Sequence, residues 1–304
     1  LLIVQTLEQG YVHRADLIEA LRAELVARAP EALILGQRLE RYENRGNKVA
    51  AYFTGGTVIE ADLLVGADGI HSAVRDQMLG PDKPEFTGCV AWRATAPVTA
   101  LGDHAPPPTA SVWAGPRRHA VTYLLRRGSL ANFVGVVEHK TPGDESWTAK
   151  GAKEQALEDF KRWHPSVTAI IEAADSMNRW ALYGRKPLPK WSDGRVTLLG
   201  DACHPMLPFL AQGAAMAIED AWALAACLAA EDDVSAALAA YEARRKPRVT
   251  RVQEGARANS KLYHRGNPIT RLGSYVPMAM AARAAPEFVR SRLDWIYSYD
   301  ETSL

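Results

Sequence analysis

The sequence predicts an α/β protein: a three-layer domain, interrupted by an inserted and mostly antiparallel β-sheet, with a helical C-terminus. Three observations predict it. The apolar run Leu63-Leu64-Val65 leads straight into Gly-Ala-Asp-Gly and a short helix, IHSAVRDQML. A second apolar run, RVTLLG at 195–200, leads through a loop into the long apolar helix AAMAIEDAWALAACLAA. Between the two, proline and aromatic residues rise and several β-rich runs follow one another. Strand, Gly-rich turn and helix, given twice around a β-rich insert, is the pattern of an open sheet carrying a second domain.

The elements follow in order. In YVHRADLIEALRAELVARAP, Leu17, Ile18, Leu21 and Leu25 recur at helical spacing, and Pro30 closes the helix. Three extended runs come next: 37–43, KVAAYF, and TVIEADLLVG, turned by NRGN and TGG. They predict a three-stranded meander whose last strand, through Leu63-Leu64-Val65, is apolar enough to be buried on both faces. The insert contains CVAWRATAPV, ASVWAG, HAVTYLLR and LANFVGVVEH, with Arg127-Gly128-Ser129 as a hairpin turn. A helix over about 150–163 follows, and Pro187 and Pro189 mark the exit. The predicted segments are 1–80, the insert at 81–189, the resumed α/β part at 190–233 and helices over 234–304.

Composition narrows the function classes. Of 304 residues, 47% are hydrophobic and 23% charged, which excludes disorder for the chain as a whole. A net charge of +1 leaves no basic excess for nucleic acid or an acidic membrane surface. Cys89, Cys203 and Cys227 have no CxxC spacing, which argues against a zinc site and a secreted disulfide scaffold and fits a reducing, cytoplasmic setting. The most apolar stretch, Ala221 to Ala230, is flanked by Asp220 and Glu231 and is too short to cross a bilayer. No metal site is expected.

The most informative segment is RVTLLGDACHPMLPFLAQGAAMAIEDA. Asp201 stands at a strand's carboxyl end, where an open sheet presents its ligand crevice, and could accept hydrogen bonds from sugar or ribityl hydroxyls. Gly213-Ala214-Ala215 opens the long helix, so free N–H groups and the positive dipole end suit a delocalised anion. Asp201 as a plain helix cap is the alternative.

Three segments together resemble the flavoprotein aromatic hydroxylases, the single-component FAD monooxygenases. They are VHRADL with Arg14, LLVGADGIHSAVR at 63–75, and GDACHPMLPFLAQGAA at 200–215. The terminal LDWIYSYD is similar to the tail of salicylate-hydroxylase-like members. The resemblance implies an FAD- and NAD(P)H-binding domain. Arg14 would touch the FAD pyrophosphate and ribityl region, and Asp68 and Gly69 would belong to the cofactor motif. Arg75 would position a helix or lie on the nucleotide side. Asp201 would take a ribityl hydroxyl, Gly213, Ala214 and Ala215 the flavin pyrimidine edge, and the Pro208 carbonyl would lie close to flavin and substrate. The family opens with a βαβ unit carrying GxGxxG, and that motif is absent from this sequence. The expectation is a chain lacking the family's first segment.

For the chemistry, His119 and Tyr123 lie at even spacing on one strand and project to one face with Val121 between them, and Trp113 could share their pocket. One imidazole and one phenol in an apolar pocket can bind and deprotonate a phenol. The alternative is a His and a Tyr satisfied in or beside the core. The H-x-x-x-Y pattern also resembles the substrate pocket of hydroxybenzoate and hydroxynicotinate hydroxylases, where the His is the favoured base. His204 either relays protons or braces the flavin loop. Cys203 and Cys227 fill apolar space, His71 lies at the surface, and the Arg pairs at 117–118, 126–127 and 244–245 read as solvated faces.

The expected function is FAD-dependent hydroxylation of a phenolic or hydroxy-N-heteroaromatic acid. NAD(P)H would reduce the flavin, and O2 would add to it as a C4a-hydroperoxide that delivers OH to the ring. A related monooxygenase acting on a quinone precursor, urate or a polyketide is the second reading, and a non-catalytic flavin-fold chain the third. The sequence leaves the oligomeric state open, and the helical C-terminus could supply the surface of a homodimer.

Overall fold

A computed structural model describes residues 2–6, 12–141, 151–285, 287 and 291–303. The chain divides into two compact units: Leu1–Leu33, Phe86–Tyr183 and Lys261–Arg292 in the first, Ile34–Glu85, Gly184–Ser260 and Leu293–Leu304 in the second.

The first unit is built on a six-stranded sheet. Its strands are β1 (Leu2–Thr6), β6 (Glu85–Pro97), β7 (Ala110–Gly115), β8 (Arg118–Leu125), β9 (Leu130–Glu138) and β10 (Asn178–Gly184), in the spatial order β1-β7-β8-β9-β6-β10. The register from β7 to β9 and from β9 to β6 is antiparallel throughout. Alternation along each strand gives the sheet two chemically different faces. One face packs Trp92, Ala94, Ala120 and Phe133 against Phe160 and helix α4 (Pro165–Ala173), whose Val167, Ile170 and Ile171 are fully buried. Helix α3 (Lys153–Asp159) belongs to the same layer; the start of the expected helix over 150–163 lies outside the described residues. Gly135 permits this packing, because a Cβ there would stand 2.4 Å from Phe160 and 2.5 Å from Phe133.

Two features of this unit depart from the sequence reading. β1 is a full partner of β7, with Ile3 opposite Trp113, where the first element was expected to be a helix. That helix, α1 (Arg14–Arg28), does form, but it buries no residue, and Ile18, Leu21 and Leu25 are exposed. Helical spacing reports an apolar stripe and does not say what covers it.

The second unit combines a meander with a small parallel sheet. Strands β2 (Leu39–Arg45), β3 (Lys48–Phe53) and β4 (Val58–Ala61) form the antiparallel meander. The third extended run does not continue as one strand. Its second half, β5 (Leu64–Gly66), leaves the meander and pairs in parallel with β12 (Val196–Leu198), which also pairs with β11 (Ser192–Asp193). Leu63, Leu64 and Val65 are half-buried rather than buried on both faces. Helix α2 (Ala73–Leu79) sits so close that a Cβ on Gly66 would lie 2.7 Å from Val74 and 2.9 Å from Leu198. Helices α5 (Gly213–Ala230) and α6 (Val234–Tyr263) supply Met216, Ala223, Leu224, Leu238, Tyr241 and Val249 to the core over this sheet. Among the described residues α5 alone is long and apolar enough to cross a membrane, a length the 221–230 reading underestimated. It carries Asp220, fully buried and ion-paired, at its middle, as a helix of a folded core can.

Candidate active site

Two groups of predicted residues are assembled, one in each unit. In the second unit β12 delivers Asp201, exposed, beyond its carboxyl end. Gly200 bends the chain with φ +60° under Ala217 of α5, and a Cβ on Gly213 would meet Asp201 Oδ1 at 4.0 Å. The start of α5 therefore stands beside the Asp201 carboxylate. Met216 N is bonded to Gln212 O at 2.9 Å, the Gln212 side chain does not cap the helix, and no acidic residue occupies the first turn. The N–H groups of Gly213, Ala214 and Ala215 have no intrahelical partners, as in every first turn, and they carry the positive end of an 18-residue helix.

The other predicted residues of this unit hold that corner in place. Asp68 Oδ2 accepts from Ala73 N at 2.8 Å and Val74 N at 3.3 Å, capping α2, while Gly69 turns the chain at φ +78°. Arg75 is 1% exposed. Its guanidinium donates to Ala202 O at 3.2 Å and Ile70 O at 3.0 Å, joining the two Gly-Asp corners. That is the helix-positioning alternative for this residue. The Pro208 carbonyl accepts from Ala211 N at 3.3 Å in a 3-10 turn, and the loop around it is tied to α6 by Gln253 on Pro205 O and Asn259 on Phe209 O.

His204 is 2% exposed and bonds Asp220 Oδ2 through Nε2 at 2.5 Å. Asp220 also accepts from Gly200 N at 3.2 Å and from Arg245 Nε at 2.9 Å. Arg245 continues to Glu301 at 2.6 Å and Glu219 at 2.7 Å. The Arg244–Arg245 pair is thus no solvated face: Arg245 is fully buried, and Arg244 pairs with Glu301. Sequence alone reads two adjacent arginines as surface because their carboxylates are 25 and 56 residues away. This geometry favours His204 as a brace, since its imidazole ties the loop to a buried ion network. Cys203 and Cys227 are buried, and burial pushes both thiols up.

In the first unit the register decides which side chains share a face. His119 pairs with Ala114 and Val136, Val121 with Val112 and Val134, and Tyr123 with Asn132. Across β9, Val134 faces Arg93 and Asn132 faces Thr95. One face therefore presents His119, Val121, Tyr123, Arg93, Thr95 and Asn132. Trp113 is not among them: it pairs with Ala120 on the opposite face, donates to Thr122 Oγ1 at 2.9 Å and stacks on His164. The expectation that it shares the His119 pocket fails because neighbouring strands keep cross-strand partners, not sequence neighbours, on one side.

His119 is 2% exposed, with Nδ1 2.8 Å from His264 Nε2 and its ring 5.2 Å from that of Tyr263. Burial, and then the charge of His264, hold its imidazole well below the usual range, so it is neutral near pH 7. Burial pushes the Tyr123 phenol up, against a lowering pull from Arg93. Asn132 is fully buried, and neither polar atom of its carboxamide has a hydrogen-bond partner among the described residues. A buried amide with both ends unspent in a polar strip is what a ligand's polar groups would satisfy.

Comparison with known proteins follows this geometry. Residues 11–256 match the family described as FAD binding domain. The chain is 40% identical over 263 residues to 6-hydroxynicotinate 3-monooxygenase of Pseudomonas fluorescens, covering 84% of this chain and 67% of that protein. It is 31% identical to salicylate hydroxylase of Pseudomonas putida, covering 96% of this chain and 70% of that one. The chain belongs to the FAD-dependent aromatic hydroxylases.

Solved structures agree. A salicylate hydroxylase substrate complex superposes with a TM-score of 0.78 at 27% identity, over 96% of this chain and 74% of that one. HpxO of Klebsiella pneumoniae, complexed with FAD and uric acid, gives 0.79 at 28% identity, over 92% and 71%. The chain spans 56% to 72% of the length of several curated relatives it matches. FAD is the cofactor of this hydroxylase family, and the corner fits it. Asp201 offers an acceptor for ribityl hydroxyls, and the α5 start beside it, which the Gln212 side chain does not cap, offers donors for an electron-rich flavin edge. Arg14 opens α1 in the first unit and is exposed. Sequence reasoning missed Arg93, Asn132, Tyr263 and His264. Arg93 and Asn132 could have been found from strand register, but nothing local marks His264, 145 residues from its partner.

Proposed function

We propose that this hydroxylase acts on a hydroxy-substituted aromatic or N-heteroaromatic acid held on the His119–Tyr123 face, with NAD(P)H as reductant, in the cytoplasm. The observation that carries the proposal is the polar strip itself: a neutral imidazole, a phenol, a guanidinium and an unsatisfied buried amide on one sheet face. A carboxylated ring supplies what that strip lacks. Its carboxylate pairs with Arg93, Asn132 meets a ring or carboxylate heteroatom, Tyr123 orients the ring, and His119 accepts the hydroxyl proton. Removing that proton makes the ring electron-rich and ready for an electrophilic oxygen. Bound FAD supplies the activated oxygen after reduction. Asp201, Gly213, Ala214 and Ala215 hold the flavin, and Asp68, Gly69, Arg75, Pro208 and His204 fix the corner around it.

Relatives named for 6-hydroxynicotinate, 3-amino-4-hydroxybenzoate and 3-hydroxybenzoate support an acidic hydroxyaromatic substrate. A urate-like substrate, as in the HpxO complex, has no carboxylate for Arg93. The test is a His119→Ala variant of the FAD-loaded enzyme. Product formation should fall by about 100-fold or more while flavin stays bound. Loss of flavin together with activity would instead make His119 structural. A second copy of the chain is the proposed partner, through the exposed stripe Ile269, Leu272, Val276 and Met280 on α7 (Pro268–Ala284). Light scattering should then report a dimer, and Leu272→Asp a monomer.

A further inference from the structure

His119 is a poor terminus for a proton. It is buried, and the same desolvation that keeps it neutral makes it release a proton it has just accepted. The structure shows a continuation. His119 Nδ1 is 2.8 Å from His264 Nε2, and His264 Nδ1 is 3.7 Å from Glu138 Oε1 and 3.8 Å from Cys89 Sγ. His264 is 7% exposed, whereas the Glu138 side chain is 41% exposed, so the line runs from the buried face to solvent. Resting on the function proposed above, we propose that His264 is a positioning residue that fixes the tautomer of His119 and carries the substrate's proton to Glu138 at the surface.

The steps balance. The ring hydroxyl gives its proton to His119 Nε2, the His119 Nδ1 proton passes to His264 Nε2, and the His264 Nδ1 proton passes towards Glu138 Oε1. One proton leaves the substrate and one reaches the surface. No electrons move, and both imidazoles end neutral with their tautomers exchanged. The surroundings suit transit rather than storage. Burial, and then the Arg118 guanidinium, hold His264 down at about 4, and burial pushes the Cys89 thiol up to about 11, so neither retains the charge. Among the described residues the Tyr263 ring also faces His119, and Arg117 stands 3.8 Å from Glu138.

The test uses the FAD-loaded enzyme and the acid it turns over best among 6-hydroxynicotinate and 3-hydroxybenzoate. Ionisation of the bound ligand is followed by absorbance after a pH jump, without reductant. His264→Gln keeps a group able to hydrogen-bond His119 but cannot pass a proton through. Ligand and flavin affinities should stay within about 3-fold, and ionisation should slow by about 100-fold, with added imidazole restoring at least ~10-fold. Glu138→Gln should slow the same step by a smaller factor, since solvent can replace a surface acceptor. Ionisation at the wild-type rate in His264→Gln, or slowing that imidazole leaves untouched, would overturn the relay alone. Wild-type enzyme that neither ionises nor hydroxylates any such acid would overturn the functional proposal and the relay with it.

Discussion

Replacing Arg245 by methionine should destabilise the protein by about 3 kcal/mol and weaken FAD binding without touching a flavin contact. Arg245 is fully buried and serves three carboxylates: Asp220, Glu301 and Glu219. Burial pulls its pKa down, but the bonds to Asp220 and Glu219 outweigh that and raise it, so the side chain is a fixed cation. Removing one member of a buried ion pair costs roughly 3–5 kcal/mol, because the other charge is stranded. Here the lower end applies, since each carboxylate keeps a second partner. Asp220 retains His204 and Gly200 N, Glu219 retains Arg248, and Glu301 retains Arg244 and Tyr299. Methionine fills much of the volume, so the loss is chiefly electrostatic. Thermal melts and flavin-fluorescence titrations, repeated in a cycle with Asp220→Asn, measure both effects. The double variant should be less unstable than the sum of the singles by about 1 kcal/mol or more. Additive losses, or a single-variant loss below about 1 kcal/mol with unchanged FAD affinity, would refute the claim that this network holds the Gly200–Asp201 corner.

Three further outcomes follow from the same geometry. Stability should fall on acidification from pH 7 to pH 5. His264 binds a proton below about 6.5 when unfolded but only near 4 when folded, so the unfolded state gains about 2 kcal/mol over that interval. Urea unfolding of His264→Gln should lose this part of the slope, and an identical slope would contradict it. Gly66→Ala should cost about 1–3 kcal/mol by chemical denaturation, because its Cβ would lie within 2.7 Å of Val74 and 2.9 Å of Leu198. Asp201→Ala should weaken FAD roughly 10-fold or more in equilibrium titration, the loss of a charge-assisted bond, and an unchanged affinity would contradict it.

Much of the cofactor corner was legible in the sequence because it is local. An apolar strand, Gly200-Asp201 and the helix beginning at Gly213 lie within about twenty residues, and strand–loop–helix order alone places them together. His119 and Tyr123 were legible as a pair because strand periodicity is strict. What the sequence hid depends on pairings across the chain. Trp113 lies on the wrong face for the pocket because the register opposes it to Ala120. β5 leaves the meander because β12, some 130 residues later, offers a parallel edge. Arg245 looked like surface because Asp220 and Glu301 reach it only in the fold. The apolar spacing on α1 located the helix but not its surroundings, and Ile18, Leu21 and Leu25 are exposed in the first unit.

The most direct test of the account is the ratio of hydroxylated product to NAD(P)H oxidised by the FAD-loaded enzyme, measured with 6-hydroxynicotinate and 3-hydroxybenzoate and, for contrast, urate. A ratio near one for a hydroxyaromatic acid, with Arg93→Met raising KM far more than it lowers kcat, is the expected result. Reductant consumed with only hydrogen peroxide formed from both acids, or efficient coupling with urate alone, would contradict it.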